Sequence, residues 1–477
     1  MGALLMMRSL EVSMKVQYVS IKPTQRAEEL GCHALTPELL AASGARYSRN
    51  NEGLDAIVSK IDFSNTDKSV DGIFKMIDYG HQSIADMTPI ALFIDEISQF
   101  AAYYLWTLSP TAGGQECSTR YIKMDVSGLV DAETLGIPKH LQESFNSFNK
   151  KAFESYQSAL DYWTELSHLH PEETKIPQSL RDSSADKDIK AVARMKRNYA
   201  YDRARVYIPL AASTGVMMIQ SARAWANISA HLQSHPLKEL QLIGEQIAEQ
   251  MSIGAPRLLK HTKPTEVLKN YLKLERQIVL DNIEFDSILN DNETKTFFQA
   301  EETYYRGGLY KEACKHRTNR YSTFGSVVSR TSVKFAWAGI SFGEIRDLNR
   351  HRTGTKYCPL LPIGFYGASD QIPNKENTNI NLAASIYSLY EDFKYTTNQA
   401  REILKDHPEY IYFTSLGHKY YFEHTTTADK FLYEMELRTG IGAHYKYAEH
   451  CREVLQQWYE KFPETQGIIF EGSAEPE

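Results

Sequence analysis

The sequence predicts an α+β fold in which two related blocks each combine a mixed sheet with long helices. Apolar residues recur at three- and four-residue spacing in Leu141–Leu166 and Leu237–Met251, which is typical of amphipathic helices. Short aliphatic and aromatic runs, Ile90–Ile94 and Val333–Trp337, have the composition of strands. In both blocks the strand-like run passes into an apolar helical segment and then into a polar segment. This repetition indicates a duplication, although the pattern alone leaves a chance resemblance equally open.

Five segments make up the predicted organisation of the chain. A polar run at 281–293 has the composition of a linker, and residues 167–190 are charged and contain prolines, as exposed insertions do. The segments are an N-terminal extension with little structure at 1–40, a first repeat at 41–265 with its insertion at about 167–190, a linker region at 266–295, a second repeat at 296–465 and a tail at 466–477.

Composition and charge restrict the function classes. Hydrophobic residues make up 42% of the chain and charged residues 24%, the balance of a globular protein. The net charge of −7 argues against binding to a nucleic acid polymer, but it permits a small anion held by local arginines. The five cysteines are scattered without a CxxC pair, so neither disulfides nor a metal site are predicted. No apolar run reaches the length of a membrane span, and we predict a cytoplasmic protein without membrane contact.

The sharpest local signal is a basic cluster at 350–356. Arg350, Arg352 and Lys356 carry positive charge and His351 is titratable, in a chain that is acidic overall. The planar guanidinium group of arginine matches the oxygens of phosphate and carboxylate groups with two parallel hydrogen bonds. The cluster therefore indicates either a site for a phosphorylated ligand or a solvated basic turn, and the residues alone do not decide between them.

Two further segments carry polar residues suited to binding. The glycine pair at 113–114 allows backbone to approach a ligand closely, and Ser118 and Arg120 follow at a spacing that lets both reach one phosphate. Taken alone, this segment favours a glycine turn that leads into a strand. His81 and Ser83 stand at the predicted start of a helix, where they indicate either a contact with phosphate or flavin or an ordinary helix cap.

Together these segments resemble the flavin-dependent thymidylate synthase family. That family carries an R-H-R-x-x-S-x-N-E-x-S-x-R-Y signature, a preceding G-H-x-[ST] segment, and later A-R-x-x-L-P and N-A-R followed by L-R. The resemblance covers most of the chain, but each half keeps only part of the pattern. The first half keeps Ser48, Gly80–Ser83, Glu116–Tyr121, Ala204–Pro209, Ala222–Arg223 and Asn227, and the second half keeps Arg350–Arg352 and Leu437–Arg438.

The losses in the two halves are complementary. In the first half Leu108–Pro110 stand in place of R-H-R, and Leu232 stands in place of the late arginine. In the second half Leu360–Ile363 replace S-x-R-Y, and Ile411 replaces the arginine that matches Arg205. In the family the active site lies between subunits of a tetramer. The resemblance therefore implies one composite site built from both repeats, and a homodimer that imitates the tetramer.

The resemblance also implies roles for individual residues. The expected dUMP-binding set is Ser118, Arg120, Arg205, Arg350 and Arg438, and Arg438 is the expected catalytic residue, which stabilises negative charge on the uracil ring. The expected FAD-binding set is Ser48, His81, Ser83, Glu116, Arg223, Asn227, His351 and Arg352. Asp347 stands where the family often has a glutamine, and its carboxylate would repel a phosphate unless Arg346 or Lys356 neutralises it.

The implied fold is two tandem flavin-dependent thymidylate synthase-like domains. The implied activity is reductive methylation of dUMP to dTMP, with FAD as cofactor and methylenetetrahydrofolate and NADPH as co-substrates. Its partners are accordingly a small nucleotide and a folate. Two alternatives stay open, because Ala443–Lys446 replace the family's A-Q-W-E. One is a flavin-dependent enzyme that alkylates another pyrimidine nucleotide, and the other is a catalytically silent nucleotide- or flavin-binding scaffold.

Overall fold

The computed structural model describes residues 14–49, 53–78, 82–109, 112–120, 124–283, 294–301, 310–373, 380–440 and 442–473. Its strands are β1 Lys15–Val19, β2 Pro89–Ser98, β3 Gly113–Glu116, β4 Ser213–Ser221, β5 Lys295–Glu301, β6 Ser332–Ser341, β7 Thr355–Tyr357, β8 Gly364–Phe365 and β9 His418–Thr427. Its helices are α1 Gln25–Glu29, α2 Pro37–Tyr47, α3 Leu54–Ser59, α4 Thr66–Asp78, α5 Ser83–Asp86, α6 Gln99–Thr107, α7 Ala132–Leu135, α8 Gln142–Leu169, α9 Gln178–Arg181, α10 Asp186–Ala204, α11 Ala222–Ser234, α12 Lys238–Gly254, α13 Glu266–Asp281, α14 Tyr310–Cys314, α15 Ser326–Ser329, α16 Phe342–Leu348, α17 Ile380–Lys394, α18 Thr396–Asp406, α19 Ala428–Thr439 and α20 Tyr445–Lys461.

The strands form two sheets, which confirms the predicted α+β class. The first sheet has the order β1-β2-β4-β3, and the second has the order β5-β6-β9-β7 with β8 also paired to β9. The predicted sheets were mixed, but all strand pairs in the described part of the chain are antiparallel. Strand direction depends on how the intervening helices return the chain, which the local apolar pattern does not encode.

The two sheets are surrounded by matching elements. Strands β2 and β6 lead directly into helices α6 and α16. The N-cap residues of these helices are Ser98 and Ser341, whose hydroxyl oxygens each accept a hydrogen bond from an N–H group in the first turn. The strand β4 leads into α11 and then α12, and β9 leads into α19 and then α20. Leu232 and Arg438 each stand ten residues beyond the first residues of these helices, Ala222 and Ala428. The correspondence supports the predicted relation between the two blocks.

Local predictions were confirmed where the apolar pattern is strong. Helix α8 covers the predicted 141–166 segment, α12 covers 237–251, and β2 and β6 contain the two predicted strands. The expectation of little structure before residue 40 was wrong for β1, which pairs with β2 along its whole length. A five-residue strand at a sheet edge carries too little apolar pattern to be recognised. The predicted linker region begins with helix α13, and residues 284–293 lie outside the described part of the chain.

The chain forms two compact units. The first unit comprises Met1–Cys117, Gly128–Gln142 and Ala211–Gln277 and contains the first sheet. The second comprises Ser118–Ser127, Glu143–Leu210 and Ile278–Glu477 and contains the second sheet. Helices α9, α10 and nearly all of α8 therefore belong to the second unit, although they fall in the predicted first repeat. The repeat boundaries stay a prediction, because a sequence repeat and a compact unit are different divisions of a chain.

Backbone pairing inside the second unit positions the residues that follow helix α10. Leu210 N donates to Thr414 O over 2.9 Å, and Leu416 N donates to Ile208 O over 2.9 Å. Arg205 opens a short 3₁₀ helix, Arg205–Tyr207, just before this pairing and is 3% exposed. The backbone that carries Arg205 is therefore fixed by helix α10 before it and by these backbone bonds after it.

Candidate active site

The five residues expected to bind dUMP all lie in the second compact unit. They are Ser118 and Arg120 after β3, Arg205 after α10, Arg350 after α16 and Arg438 in the last turn of α19. The first three come from the predicted first repeat and the last two from the second. The structure therefore brings residues from both halves of the sequence into one unit.

A buried ion pair lies at the centre of this group. Arg205 Nη2 is 2.8 Å from Asp347 Oδ2, and both side chains are less than a tenth exposed. Arg205 Nη1 and Arg346 Nη1 also donate to Thr119 Oγ1, over 3.4 and 3.3 Å. Burial by itself would raise the pKa of Asp347, but attraction to Arg205, Arg350 and Arg120 outweighs it and lowers that pKa. Asp347 is therefore ionised at neutral pH.

The partner of Asp347 differs from the expectation. We expected Arg346 or Lys356 to neutralise it, and the structure shows Arg205 in that role. Lys356 instead donates from Nζ to the carbonyl oxygen of His351. Arg205 is 142 positions away in the sequence, so proximity along the chain was a poor guide to the neutralising charge.

A second carboxylate orients Arg120. Arg120 donates from Nε and Nη2 to the two oxygens of Asp202, over 2.6 and 2.8 Å, in the bidentate geometry that fixes a guanidinium plane. Its Nη1 donates to Gly442 O over 3.3 Å, and its backbone N–H donates to Ser118 Oγ. Arg120 is thereby held beside the residues that follow α19.

Asp202 is in turn held by His444. His444 Nε2 donates to Asp202 O over 3.0 Å, while His444 Nδ1 accepts from Lys446 N over 3.2 Å. One ring nitrogen donates and the other accepts, which is the hydrogen-bonding pattern of a neutral imidazole. Burial and the nearby Arg205 agree with this pattern, since they lower the pKa of His444 to about 4.

Arg438 and His351, which the sequence assigned to different ligands, are in direct contact. Arg438 Nε donates to His351 Nε2 over 2.7 Å, so that ring nitrogen carries no proton. Arg438 also donates from Nη2 to Asp347 O over 3.1 Å and from Nη1 to Tyr447 Oη over 3.5 Å. Burial, together with the charge of Arg438, lowers the pKa of His351 to about 3. The catalytic candidate is thus fixed in orientation by three protein contacts.

The loop that carries the R-H-R segment is attached to helix α19 through strand β9. His424 Nε2 donates to Thr353 O over 2.7 Å, and His424 Nδ1 lies 3.0 Å from a carboxylate oxygen of Glu434. Gly354 has φ +77°, and a Cβ there would lie 2.2 Å from Thr425 O, so the loop approaches β9 more closely than other residues permit. Burial would raise the pKa of Glu434, but His351 and His424 lower it to about 2.

Positive charge exceeds negative charge in this group, which we call the arginine cluster. It consists of Arg120, Arg205, Arg346, Arg350 and Arg438 with the carboxylates of Asp202 and Asp347. Arg350 is exposed, and with the described residues its guanidinium group forms no hydrogen bond or ion pair. Five guanidinium groups around two carboxylates leave an electrostatic preference for an anion.

The residues expected to bind FAD are divided between the two units. In the first unit Arg223 Nη1 is 2.8 Å from Asp86 Oδ2 at the end of α5, and Ser83 begins that helix. Helix α5 packs against α2, which ends before Ser48, and against α11, which carries Asn227. Glu116 ends β3 and is half-buried. His351 and Arg352 belong to the second unit, and His81 lies outside the described residues.

Sequence reasoning missed several residues of the arginine cluster and its surroundings. Asp202 and Tyr447 belong to no motif that we recognised, although Asp202 stands only three positions before Arg205, and Thr119 occupies the variable position of the S-x-R-Y motif. His444 did fall in a segment noted as a departure from the family, so that departure was an available signal. Conserved motifs identify groups that touch a ligand, whereas these residues orient such groups.

Buried neutral histidines predict a loss of stability at acid pH. Burial lowers the pKa of His235, His351 and His418 to about 3 and of His444 to about 4, below the value near 6.5 of an unfolded chain. Between those values the unfolded chain binds protons that the folded chain excludes, so the free energy of unfolding falls as pH falls. We expect about 1.4 kcal/mol per pH unit from each histidine between roughly pH 6 and 5.

Urea unfolding followed by tryptophan fluorescence at several pH values measures this slope. The variant His418→Gln removes one titrating group, and its slope should be smaller by about one quarter, because four histidines with strongly lowered pKa values contribute. Glu344 and Glu434, whose pKa values are lowered to about 2, add to the loss only below about pH 5. An unchanged slope in the variant contradicts the assignment of His418 as a buried neutral group.

Among the residues that the structure describes, no helix is both long and apolar enough to cross a membrane. The same portion of the chain contains no group of three or more His, Cys, Asp and Glu side chains arranged to hold a metal ion.

Comparison with known proteins gives one family match, which lies in the first half of the chain. Residues 30–257 match the family model described as thymidylate synthase complementing protein. The matched region covers slightly less than half of the chain. The matched region includes Ser118, Arg120 and Arg205 of the arginine cluster, whereas Arg350 and Arg438 lie beyond it.

Individual relatives are distant. A UPF0159 protein of Chlamydia pneumoniae is 24% identical over 251 residues, which are 48% of this chain and 45% of that protein. The match thus spans less than half the length of this curated relative. A UMP/dUMP methylase, PolB from Streptomyces cacaoi bound with 5-Br dUMP, aligns with 52% of this chain and 93% of its own at 17% identity and a TM-score of 0.32. A likeness at that score carries no conclusion about this chain.

Proposed function

We propose that the chain is a thymidylate-forming enzyme that methylates dUMP reductively, using methylenetetrahydrofolate, NADPH and FAD. The supporting observation is the arginine cluster, in which Arg120 and Arg205 from the first predicted repeat share one compact unit with Arg350 and Arg438 from the second. The family match of residues 30–257 supports the same activity. A composite site of this kind, with residues from both repeats, is what the complementary loss of family motifs in the two halves predicts.

The phosphate of dUMP is bound by the arginine cluster, in which Arg350 is exposed, Arg120 is half-buried and Arg205 is buried. Arg350 offers a guanidinium group that has no described partner, and Ser118 adds a hydroxyl group. Arg120 and Arg205 are already oriented by Asp202 and Asp347 and keep further N–H groups, since each guanidinium carries five. Charge-assisted hydrogen bonds from these groups hold the nucleotide with little reorganisation.

Arg438 acts on the uracil ring. Its guanidinium group carries five N–H donors, of which three meet His351, Asp347 and Tyr447. The remaining donors stabilise negative charge on a ring oxygen, which makes the C5 carbon nucleophilic. Because the guanidinium is held before the ligand arrives, it stabilises the charge without first reorienting.

The proposed flavin residues fit a polar, anionic cofactor. Exposed Ser48, Ser83 and Asn227 and the half-buried Arg223 present hydroxyl, amide and guanidinium groups around α5. These groups and Glu116, all in the first unit, would hold FAD by hydrogen bonds to its phosphates, ribose and ring edge. The roles of His81, His351 and Arg352 in FAD binding stay predictions from the family resemblance. Reduced FAD, when bound, supplies the hydride for the methylation.

A second candidate function is flavin-dependent alkylation of another pyrimidine nucleotide. Asp347 replaces the glutamine that often contacts the nucleotide in the family, and it forms an ion pair with Arg205. A carboxylate tied to an arginine presents a different hydrogen-bonding edge to the base from that of an amide. This observation favours altered base recognition over a silent scaffold, because the arginine cluster itself is intact.

Tritium release from C5-labelled dUMP tests the proposal. We expect release that requires both NADPH and methylenetetrahydrofolate, from a protein with the visible absorbance of oxidised flavin and the sedimentation behaviour of a homodimer. Release from another labelled pyrimidine nucleotide alone would select the second candidate. A protein that binds dUMP but releases no tritium from any of these nucleotides would be a scaffold, and the enzyme proposal would be lost.

A further inference from the structure

The segment Ala443–Lys446, which departs from the family's A-Q-W-E, lies in the second unit at the start of helix α20. His444 stands at the position of the family's glutamine, is 2% exposed and is the N-cap residue of α20. Its Nδ1 accepts a hydrogen bond from Lys446 N over 3.2 Å, which satisfies an N–H group in the first turn of the helix. One ring nitrogen of this buried histidine therefore serves the fold of α20.

The other ring nitrogen of His444 contacts helix α10. His444 Nε2 donates to Asp202 O over 3.0 Å, across 242 positions of the chain. Asp202 is among the last four residues of α10, whose carbonyl groups have no partner within an α-helix. The neighbouring Gly442 O accepts from Arg120 Nη1 over 3.3 Å. The start of α20 is therefore attached both to the end of α10 and to Arg120.

Tyr445 holds the next residue of α10. The guanidinium group of Arg203 lies between two rings, 3.6 Å from the centroid of Tyr199 and 4.3 Å from that of Tyr445. Contacts of this kind are strongest when the cation is withdrawn from water, and Arg203 is buried. Helix α10 is thus attached to this segment independently of His444. A substitution at His444 should therefore change the position of Asp202 without detaching the helix.

Asp202 fixes the guanidinium plane of Arg120, through hydrogen bonds from Nε and Nη2 over 2.6 and 2.8 Å. The orientation of that plane decides how well an arginine binds the oxygens of a phosphate. We propose that His444 is a positioning residue for the nucleotide phosphate: its Nε2–H fixes the backbone of Asp202, and the carboxylate of Asp202 fixes Arg120. This role rests on the proposed function, because it requires dUMP to bind at the arginine cluster.

Two substitutions separate the two ring nitrogens of His444. Asparagine places an acceptor near the position of Nδ1 and keeps the N-cap of α20, but it has no group at the position of Nε2. Glutamine is longer, places an N–H donor near the position of Nε2 and loses the cap. A positioning role therefore predicts normal nucleotide binding in His444→Gln and weak binding in His444→Asn. A role in the fold of α20 alone predicts the reverse.

Calorimetric titration of the full-length protein with dUMP and with deoxyuridine measures the contribution of the phosphate as the ratio of the two dissociation constants. We expect His444→Asn to weaken dUMP binding about tenfold and to leave deoxyuridine binding unchanged, since one charge-assisted contact is misplaced. His444→Gln should keep the ratio of the unmodified protein. Lys446→Met is the matched control in the same segment, because the side chain of Lys446 pairs with Asp370 and Glu449. It should leave both constants unchanged.

The outcomes distinguish this role from the proposed function. The same ratio in His444→Asn as in the unmodified protein would overturn the positioning role and leave the proposed function standing. Equal affinity of the unmodified protein for dUMP and deoxyuridine would remove the phosphate site, and with it both proposals. If His444→Asn fails to fold, as circular dichroism would show, His444→Ser decides the result, because serine also keeps the N-cap. Failure of both variants to fold would assign His444 to the fold alone and overturn the positioning role.

Discussion

Arg438→Ala is expected to lower the rate of tritium release from C5-labelled dUMP by about 10²- to 10³-fold, the effect of removing one charge-stabilising donor from an active site. Binding of dUMP should change much less, because the phosphate is held by other arginines. Arg438→Lys keeps the charge but loses the planar group that contacts both His351 and Asp347. We therefore expect that variant to recover only part of the rate.

The matched control for Arg438 is Leu232, which occupies the same position in α11. If only one composite site is active, a substitution at Leu232 should leave tritium release unchanged. Leu232 is fully buried, so alanine there would open a core cavity at about 2–5 kcal/mol. Leu232→Met preserves volume and is the better control. If Arg438→Ala released tritium as fast as the unmodified protein, Arg438 would have no role in the reaction.

Arg205→Met is expected to reduce both stability and dUMP binding. It leaves the buried carboxylate of Asp347 without its ion-pair partner, a change that usually destabilises by about 3–5 kcal/mol. Arg350 and Arg120 also lie near Asp347, which places the expected effect at the lower end of that range. Urea unfolding measures the stability, and calorimetric titration with dUMP measures the binding.

A double variant separates the two roles of Arg205. Arg205→Met combined with Asp347→Leu removes both charges, and an apolar pair of similar volume is often as stable as a buried ion pair. We expect the double variant to regain most of the lost stability while dUMP binding stays weak. Full recovery of binding would show that Arg205 serves the fold alone. An unaltered unfolding midpoint in the single variant would contradict the buried ion pair.

Arg205, Asp202 and Asp347 show how far sequence reasoning reached within the site. Arg205 was recognised because it lies in Ala204–Pro209, a short continuous segment that matches a family motif. The ion pair of Arg205 with Asp347 was not predicted, because Asp347 lies 142 positions further along the chain. Asp202, which holds Arg120 across 82 positions, carried no motif at all. Charge pairing over such distances depends on how the chain returns on itself, and one sequence contains no direct record of that path.

The sequence by itself determined the long helices, the central strands and the candidate arginines, since apolar periodicity and short motifs are local properties of a chain. Tertiary structure alone decided the antiparallel strand directions, the membership of α8 to α10 in the second unit, and the carboxylates that orient the arginines. The physical reason is that helix formation depends on neighbours a few residues away. Strand pairing, unit boundaries and buried ion pairs instead depend on groups that only folding brings together.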